Sequence, residues 1–511
     1  MKNHKYYFLL VCFFFLYACN NIKPTIKRGD DIFALPLLAG EVTQASAILQ
    51  SRLTAKDTIK YGDVHNPNSI ANTDLAGKEG YAFFELSQNR SFQEGDKTRW
   101  LQAEEKGDFI VKSRIDGLEE GTVYYYRLHF GKDKENTRIS EVNSFKTLPG
   151  KEEKASTEFI MVTGSHLDRF YLGGGFGKPS VQGTEAYRGE DKYSGFPGFK
   201  TIAEMKPDFF IGNGDNVYYD HPPSNKAKGK VAMRAKWHRQ FAMPNIRQMF
   251  RHVPTYWLKD DHDHRFDDSD TLAVNEKHGT LPSHELGLEI FLEQVPVVDP
   301  KDQESKTYRT YRIGKALQVW MVEGRDYRSP NNLLDGPGKS LWGEEQKKWL
   351  KQTLLASDAD FKILVSPTPM VGPDDASKTD NHINPKGFRY EGDEFFDWLQ
   401  KNGFSKNNFF IICGDRHWQY HSIHPSGFEE FSCGALVDQN ARLGRNPGDP
   451  KSTDPEGLIK QPYTQEKASG GFLKVGVNYS NKAKGASLNF VFYDEYGEEL
   501  YSTTKERKTN K

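Results

Sequence analysis

Phe209-Phe210-Ile211-Gly212-Asn213-Gly214-Asp215 is an apolar run of strand length that stops abruptly at a polar cluster, and the pattern recurs along the chain. Phe159-Ile160-Met161-Val162 runs into Thr163-Gly164-Ser165-His166, and Tyr256-Trp257-Leu258 into Lys259-Asp260-Asp261-His262. Val319-Trp320-Met321-Val322 meets Glu323-Gly324-Arg325, and Phe409-Phe410-Ile411-Ile412-Cys413 meets Gly414-Asp415-Arg416-His417. Strands buried on both faces read as continuous apolar runs, and in α/β sheets ligands bind beyond the carboxyl ends of the strands. One sheet would bring all five clusters to a single edge. Helical spacing falls between the runs, most clearly from Gly343 to Leu355, where Trp349, Leu350, Leu354 and Leu355 share a face, and again at Phe395 to Leu399. Phe472 to Val477 and Leu488 to Tyr493 read as paired strands that close the domain.

Ahead of this region the texture differs. From Ile32 to Pro149, short alternating segments (Gln44 to Leu49, Tyr81 to Leu86, Phe109 to Ile115, Tyr124 to Phe130) are separated by Gly, Asn and Asp turns, which predicts a small β-sandwich. Gly117 to Arg127 resembles the turn and strand of fibronectin type III-like domains, where a tyrosine locks the corner. The first residues are different again. Lys2 and Lys5 precede an apolar run from Tyr6 to Tyr17 that ends in Ala18-Cys19. The run is short for a bilayer span and matches a bacterial lipoprotein signal, with Cys19 as the lipidated residue.

At 511 residues the chain is too long for one average domain. Its 69 basic and 70 acidic side chains leave a net charge of -1, so no global field draws it to nucleic acid or anionic lipid and partner choice must come from a local site. A hydrophobic fraction of 36% at a mean hydropathy of -0.73 excludes disorder throughout and suggests long polar loops around a modest core. Cys413 and Cys433 are too few for a disulfide scaffold, and the apolar run around Cys413 favours a free buried thiol over a pair. Aspartate, histidine, asparagine and tyrosine gathered on loops suit hard or borderline metal ions, which can clamp an ester and sharpen a water into a nucleophile.

Gly214-Asp215-Asn216-Val217-Tyr218, Asp260-Asp261-His262-Asp263, Arg325-Asp326-Tyr327-Arg328, Gly343-Glu344-Glu345-Gln346 with Trp349-Leu350, and Gly414-Asp415-Arg416-His417-Trp418 occur in the order seen in the PhoD-like alkaline phosphatases, a branch of the calcineurin-like metallophosphoesterases. Each motif is weak alone; five in order over nearly the whole mature chain are specific. The resemblance implies an α/β fold, a metallophosphoesterase-like α/β/β/α sandwich preceded by a small fibronectin type III-like β-sandwich. The expected organisation is a signal peptide over 1–18, a tether over 19–31, the β-sandwich over 32–150 and the PhoD-like domain over 155–505.

The resemblance also implies two or three divalent or trivalent ions, with calcium, iron, zinc and manganese all open. In that family the counterpart of Asp215 bridges two metals and that of Tyr218 binds one. Asp261 is similar to the asparagine ligand of the wider superfamily, His262 to the group that protonates the leaving oxygen, and Asp415 and His417 to the late metal-binding pair. Asp260 and Asp263 either support the ligands or are solvated loop charges. Arg325 would grip the non-reacting oxygens of a tetrahedral anion in forked hydrogen bonds. Asn381 and His382, on a polar loop, are further candidates for a second metal's ligand.

Three departures stand out. His166 replaces a cysteine, a harder donor that puts an iron-containing site in doubt. Lys259 stands where a tryptophan is common, and Glu323 where an aspartate is usual. The implied reaction is hydrolysis of phosphate mono- or diesters by metal-bound hydroxide. A sulfatase acting on polysaccharide with the same machinery is the nearest alternative, and a non-catalytic surface binding lipoprotein the next. Expected partners are a small-molecule or polysaccharide ester and, through Cys19, a bacterial membrane, with the protein exported to the outer membrane or cell surface.

Overall fold

The computed structural model describes residues 31–71, 73–173, 185–272, 282–299, 302, 305–479 and 485–507. Three of the apolar runs pair in parallel as Thr157–Val162, Phe209–Asn213 and Thr255–Leu258. The other two, Leu317–Met321 and Phe409–Cys413, pair in parallel with Phe361–Ser366, a strand the sequence reading did not pick out, which lies between them in a second sheet. Alternate side chains explain why each run is wholly apolar. Phe159, Met161, Phe209, Ile211, Tyr256 and Leu258 face Val319, Met321, Ile363, Val365, Phe410 and Ile412 across a core shared by the two sheets. Ile160, Val162, Phe210 and Trp257 point the other way, into helices Pro197–Met205, Lys230–Phe241, Pro244–Phe250 and His284–Gln294. Trp320, Leu364, Phe409 and Ile411 point away on the far side, towards helices Glu344–Ala356 and Arg389–Lys401. The layers are therefore α/β/β/α, as expected.

Among the described residues the first sheet has nine strands and the second seven. Gly471–Tyr479 and Ala486–Asp494 pair antiparallel with Phe472 opposite Tyr493 and extend the first sheet beside Thr157–Val162. On its other side the sheet continues into the N-terminal strands Phe33–Gly40, Ser46–Thr54 and Ile110–Asp116. Gly80–Ser87 and Val123–Gly131 form the core of a third, six-stranded sheet, and Ala82, Phe84, Tyr126 and Leu128 pack in the same cluster as Leu49, Leu53 and Val111. The expected corner is present: the Glu119 amide donates to the Tyr124 hydroxyl at 2.9 Å. Cys413 and Cys433 are buried free thiols.

A polar clamp ties the N-terminal strands to the helices. The His238 ring lies between Asp74 Oδ1 at 2.8 Å and Asp108 Oδ2 at 2.6 Å, while Arg52 Nη2 and Gln294 Nε2 also reach the Asp108 carboxylate. Burial works against the charged carboxylate, but His238 and Arg52 overcome it and hold Asp108 down at about 2, below its ordinary 3.8. A carboxyl whose pKa is depressed on folding contributes stability above its unfolded value and loses it as pH falls through the folded value. The contribution of Asp108, on the order of 2 kcal/mol, is thus complete above about pH 4 and gone below about pH 2. In urea unfolding, Asp108→Asn is expected to destabilise the protein by about 2 to 4 kcal/mol at pH 7 and by far less at pH 2.5. An equal loss at both pH values would contradict the clamp.

Candidate metal centre

The five polar clusters meet at the carboxyl ends of the two sheets. Asn213 Nδ2 donates to the Ser366 carbonyl at 3.0 Å, and Thr163 Oγ1 to the Gly214 carbonyl at 2.9 Å, stitching neighbouring strand ends together. Asp215 and Asp415 then adopt left-handed backbone, φ 54° and 60°. Such conformations are costly for non-glycine residues and persist where surrounding structure fixes them, often at functional sites. The glycines before them are required by close approach, and Gly214 also by its own φ of 80°. A Cβ on Gly214 would lie 2.6 Å from Asp260 Cβ, and one on Gly414 would lie 2.5 Å from the Asn213 carbonyl oxygen. Each Gly-Asp pair lets one strand end turn its carboxylate against its neighbour.

Asp215, Asp261 and His262 bring ligand atoms within 4.8 Å of one another, all buried. Asp215 Oδ2 accepts from the Tyr218 hydroxyl at 2.7 Å and lies 3.0 Å from His417 Nε2, while Asp215 Oδ1 is buried with no hydrogen-bond partner. Asn440 Nδ2 donates to the Tyr218 hydroxyl at 2.8 Å. Asp415 is beside these groups but is engaged by Arg416. The His166 ring stacks on Tyr218 with centroids 3.8 Å apart, and its Nδ1 accepts the Arg169 amide at 3.2 Å, capping helix Leu167–Leu172. Its Nδ1 is therefore committed to the backbone, and the ring lies in the site wall against a predicted ligand.

Several residues named from the sequence have other duties. Arg325 is fully buried: Nε donates to Asp260 Oδ1 at 2.6 Å, Nη1 to the Ser269 carbonyl at 2.9 Å and Nη2 to Asp380 Oδ2 at 3.0 Å. All three guanidinium nitrogens serve protein acceptors, so the expected grip on substrate oxygens is replaced by a positioning role beneath the carboxylates. Asp260 is the acceptor in that arrangement. Asp263 accepts the Asp260 and Asn216 amides, fastening the two loops that carry Asp261 and Asp215. Both are buried supports and neither is a solvated loop charge.

Asn381 donates to Asp374 at 2.8 Å, and His382 lies fully buried against Trp342 with Nε2 2.9 Å from Glu391. Neither joins the cluster, because their loop folds into the helical layer and sends Asp380 to Arg325 instead. Lys259 and Glu323, two departures from the family pattern, prove to be partners. Lys259 Nζ is buried 2.8 Å from Glu323 and 2.7 Å from Asp326.

The sequence reading missed Asp220, His221 and Arg442. Asp220 Oδ1 lies 2.8 Å from His262 Nδ1 and 3.1 Å from His221 Nδ1. Its signal lay in plain view two residues past the Gly-Asp-x-x-Tyr motif. Burial opposes the charge on His262, yet Asp220, Asp261 and Asp215 together hold its imidazole well above the ordinary range. Arg442, on a loop with no sequence pattern, donates its amide to the His417 carbonyl at 2.9 Å and lays its guanidinium over Trp418 at 5.3 Å. Burial, then the charges of Arg442 and Arg169, hold His417 well below the usual imidazole range, which leaves it neutral and able to ligate.

The donor set fits metal ions. Burial, reinforced by Asp261, Asp260 and Asp263 and opposed by His262, pushes Asp215 well above the usual carboxylate range. Carboxylates packed this way resist ionisation unless cations discharge their repulsion, and the orphaned Asp215 oxygen has the placement to receive one. Asp215→Asn is expected to reduce retained metal, read by elemental analysis of the purified chain, and to weaken metal affinity by more than about 100-fold. Asp220→Asn should keep the metal and lower turnover about 10- to 100-fold through the loss of His262 orientation. A full metal complement in the Asp215 variant would overturn the assignment.

The comparisons agree with this geometry. The family model for the PhoD-like phosphatase matches residues 184–468, and that for the PhoD-like phosphatase N-terminal domain matches residues 20–149. Alkaline phosphatase D of Bacillus subtilis (strain 168) is 21% identical over 392 residues, which are 70% of this chain and 62% of that protein, so the chain spans under two thirds of this relative's length. Among solved structures, one described as the structure of PhoD is 17% identical, with a TM-score of 0.66 over 93% of this chain and 94% of that one. Purple acid phosphatase PPD1 from yellow lupin (Lupinus luteus) seeds is 14% identical, with a TM-score of 0.57 over 93% and 74%. These structures share the fold; the matched models, together with a buried carboxylate and histidine cluster at the predicted strand ends and a β-rich N-terminal region, place the chain in the PhoD-like phosphatase family.

Proposed function

We propose that the protein is an exported, lipid-anchored, metal-dependent hydrolase of phosphate mono- or diesters. The observation that carries the reading is the convergence of Asp215, Asp261 and His262 within 4.8 Å, with Tyr218 and His417 on the Asp215 carboxylate. Cations held there supply Lewis acidity and water activation at neutral pH. The rest falls to side chains. Asp220 occupies His262 Nδ1, so the proton offered to the departing ester oxygen is the one on Nε2. Arg442 and Arg169 place positive charge beside His417, which suits a phosphate dianion better than a sulfate monoanion. Arg325 acts from below by fixing Asp260 and Asp380. The anchor rests on Cys19, which lies outside the described residues, and would hold the enzyme at the outer membrane or cell surface.

Parallel assays on nitrophenyl phosphate, bis-nitrophenyl phosphate and nitrophenyl sulfate test the reading. Phosphate turnover is expected to exceed sulfate turnover by about 100-fold or more and to vanish on chelation. Dominant sulfate turnover would favour desulfation of a polysaccharide, and inactivity with metal bound would favour a binding lipoprotein. Arg442→Met is expected to raise KM for the monoester about 10-fold, and to raise it less for the monoanionic diester. An equal effect on both esters would remove Arg442 from charge recognition.

A further inference from the structure

A second group of donors involves the last residue of the short helix that begins at Asp261. His264 Nε2, at the end of helix Asp261–His264, is 2.9 Å from His284 Nδ1, at the start of helix His284–Gln294. Ligand atoms of His264, His284 and Asp326 all lie within 4.8 Å of one another. The three residues come from three separate segments, held together by close packing. A Cβ on Gly287 would lie 2.1 Å from the His264 carbonyl oxygen, so only glycine lets this helix approach so near.

We propose that these three residues form an auxiliary site for a borderline divalent ion such as zinc, distinct from the centre at Asp215. Two imidazoles and one carboxylate are the donors such an ion prefers, whereas calcium and magnesium favour all-oxygen sets. The Asp326 side chain is 3% exposed, with Oδ2 occupied by Thr307 and Lys259 and Oδ1 buried without a hydrogen-bond partner. A buried carboxylate oxygen without a partner is costly and points to a ligand. Behind the site, Ser269 Oγ lies 3.4 Å from His264 Nδ1, where it can help orient the ring. Burial, with Lys259 and His284 adding to it, keeps His264 well below the ordinary imidazole range and so neutral. His284 is half-buried and offers a route from solvent.

Charge and spacing are both compatible. Lys259 is already flanked by two carboxylates, Asp326 and Glu323, which offset its repulsion of a cation. Two nitrogens bound tetrahedrally to one zinc at ~2.05 Å sit about 3.3 Å apart, so the histidines need to part by only about 0.4 Å.

The test uses the full chain, stripped of metal and reloaded with zinc. Asp215→Asn, which disables the main centre, is expected to retain one zinc equivalent and a zinc-dependent rise in Tm. Adding His284→Ala should remove that equivalent and abolish the rise, weakening zinc binding at least about 10-fold. His284→Ala alone should bind one zinc fewer than the parent. Cobalt provides a second readout, since the Asp215→Asn chain should show visible absorption bands that His284→Ala removes. Zinc content and cobalt spectra unchanged by His284→Ala would overturn the proposal and leave the pair as histidines sharing a proton. Because the decisive arms need no phosphatase activity, failure here is separable from failure of the hydrolase reading.

Discussion

The energetic constraint on which the rest depends is the burial of like charge. Asp215, Asp260, Asp261 and Asp263 are each at most 2% exposed, and they crowd one end of the sheets. Ions removed from water lose several kcal/mol of solvation each, and neighbouring carboxylates repel in a low-dielectric interior. Part of the compensation is built in: Arg325 is itself fully buried and surrounded by Asp260, Asp261 and Asp380. His262 supplies part of the remainder, and cations held by the cluster would supply the rest. A fold meant only for stability would have no reason to gather these groups.

Topology makes the gathering possible. Two sets of parallel strands end at the same level, and their ends are tied by side-chain to backbone bonds such as Asn213 to Ser366. The Gly-Asp turns then aim carboxylates across the seam between the sheets. Continuity of the first sheet with the N-terminal strands, together with the clamp of His238 and Asp108, braces the outer helices that support the site.

Much of this was legible in the sequence, and what was not has identifiable causes. Runs buried on both faces announce themselves, so the strands at Phe159, Phe209, Tyr256, Val319 and Phe409 and their polar ends stood out, whereas Phe361–Ser366, which ends in Ser366-Pro367 with no cluster of acids or histidines, did not. The strand Phe33–Gly40 did not, because Pro36 and a register shift between Ala34 and Leu37 break its periodicity. Metal-ligand candidates at strand ends were readable, whereas the partners of charged side chains were not. Arg325 meets Asp260 across 65 residues and His382 meets Glu391 only because the chain folds back over nine, and spacing alone does not reveal which acceptor a guanidinium or imidazole will meet. The same limit hid the pairing of Lys259 with Glu323. Read singly, they were two departures from a motif; together they are one ion pair under the site.

The His166 change also takes on a physical meaning. An imidazole capping a helix and stacked on Tyr218 shapes the wall of the centre, so the change from cysteine alters packing as well as donor chemistry. The most direct measurement is a crystal structure of the full chain with anomalous diffraction recorded at metal absorption edges. At least two anomalous peaks flanking the Asp215 carboxylate, one of them within coordination distance of Asp261, are expected. Absence of any peak there, with Asp215 and Asp261 sharing a proton in a hydrogen bond, would contradict the claim that this cluster exists to hold cations.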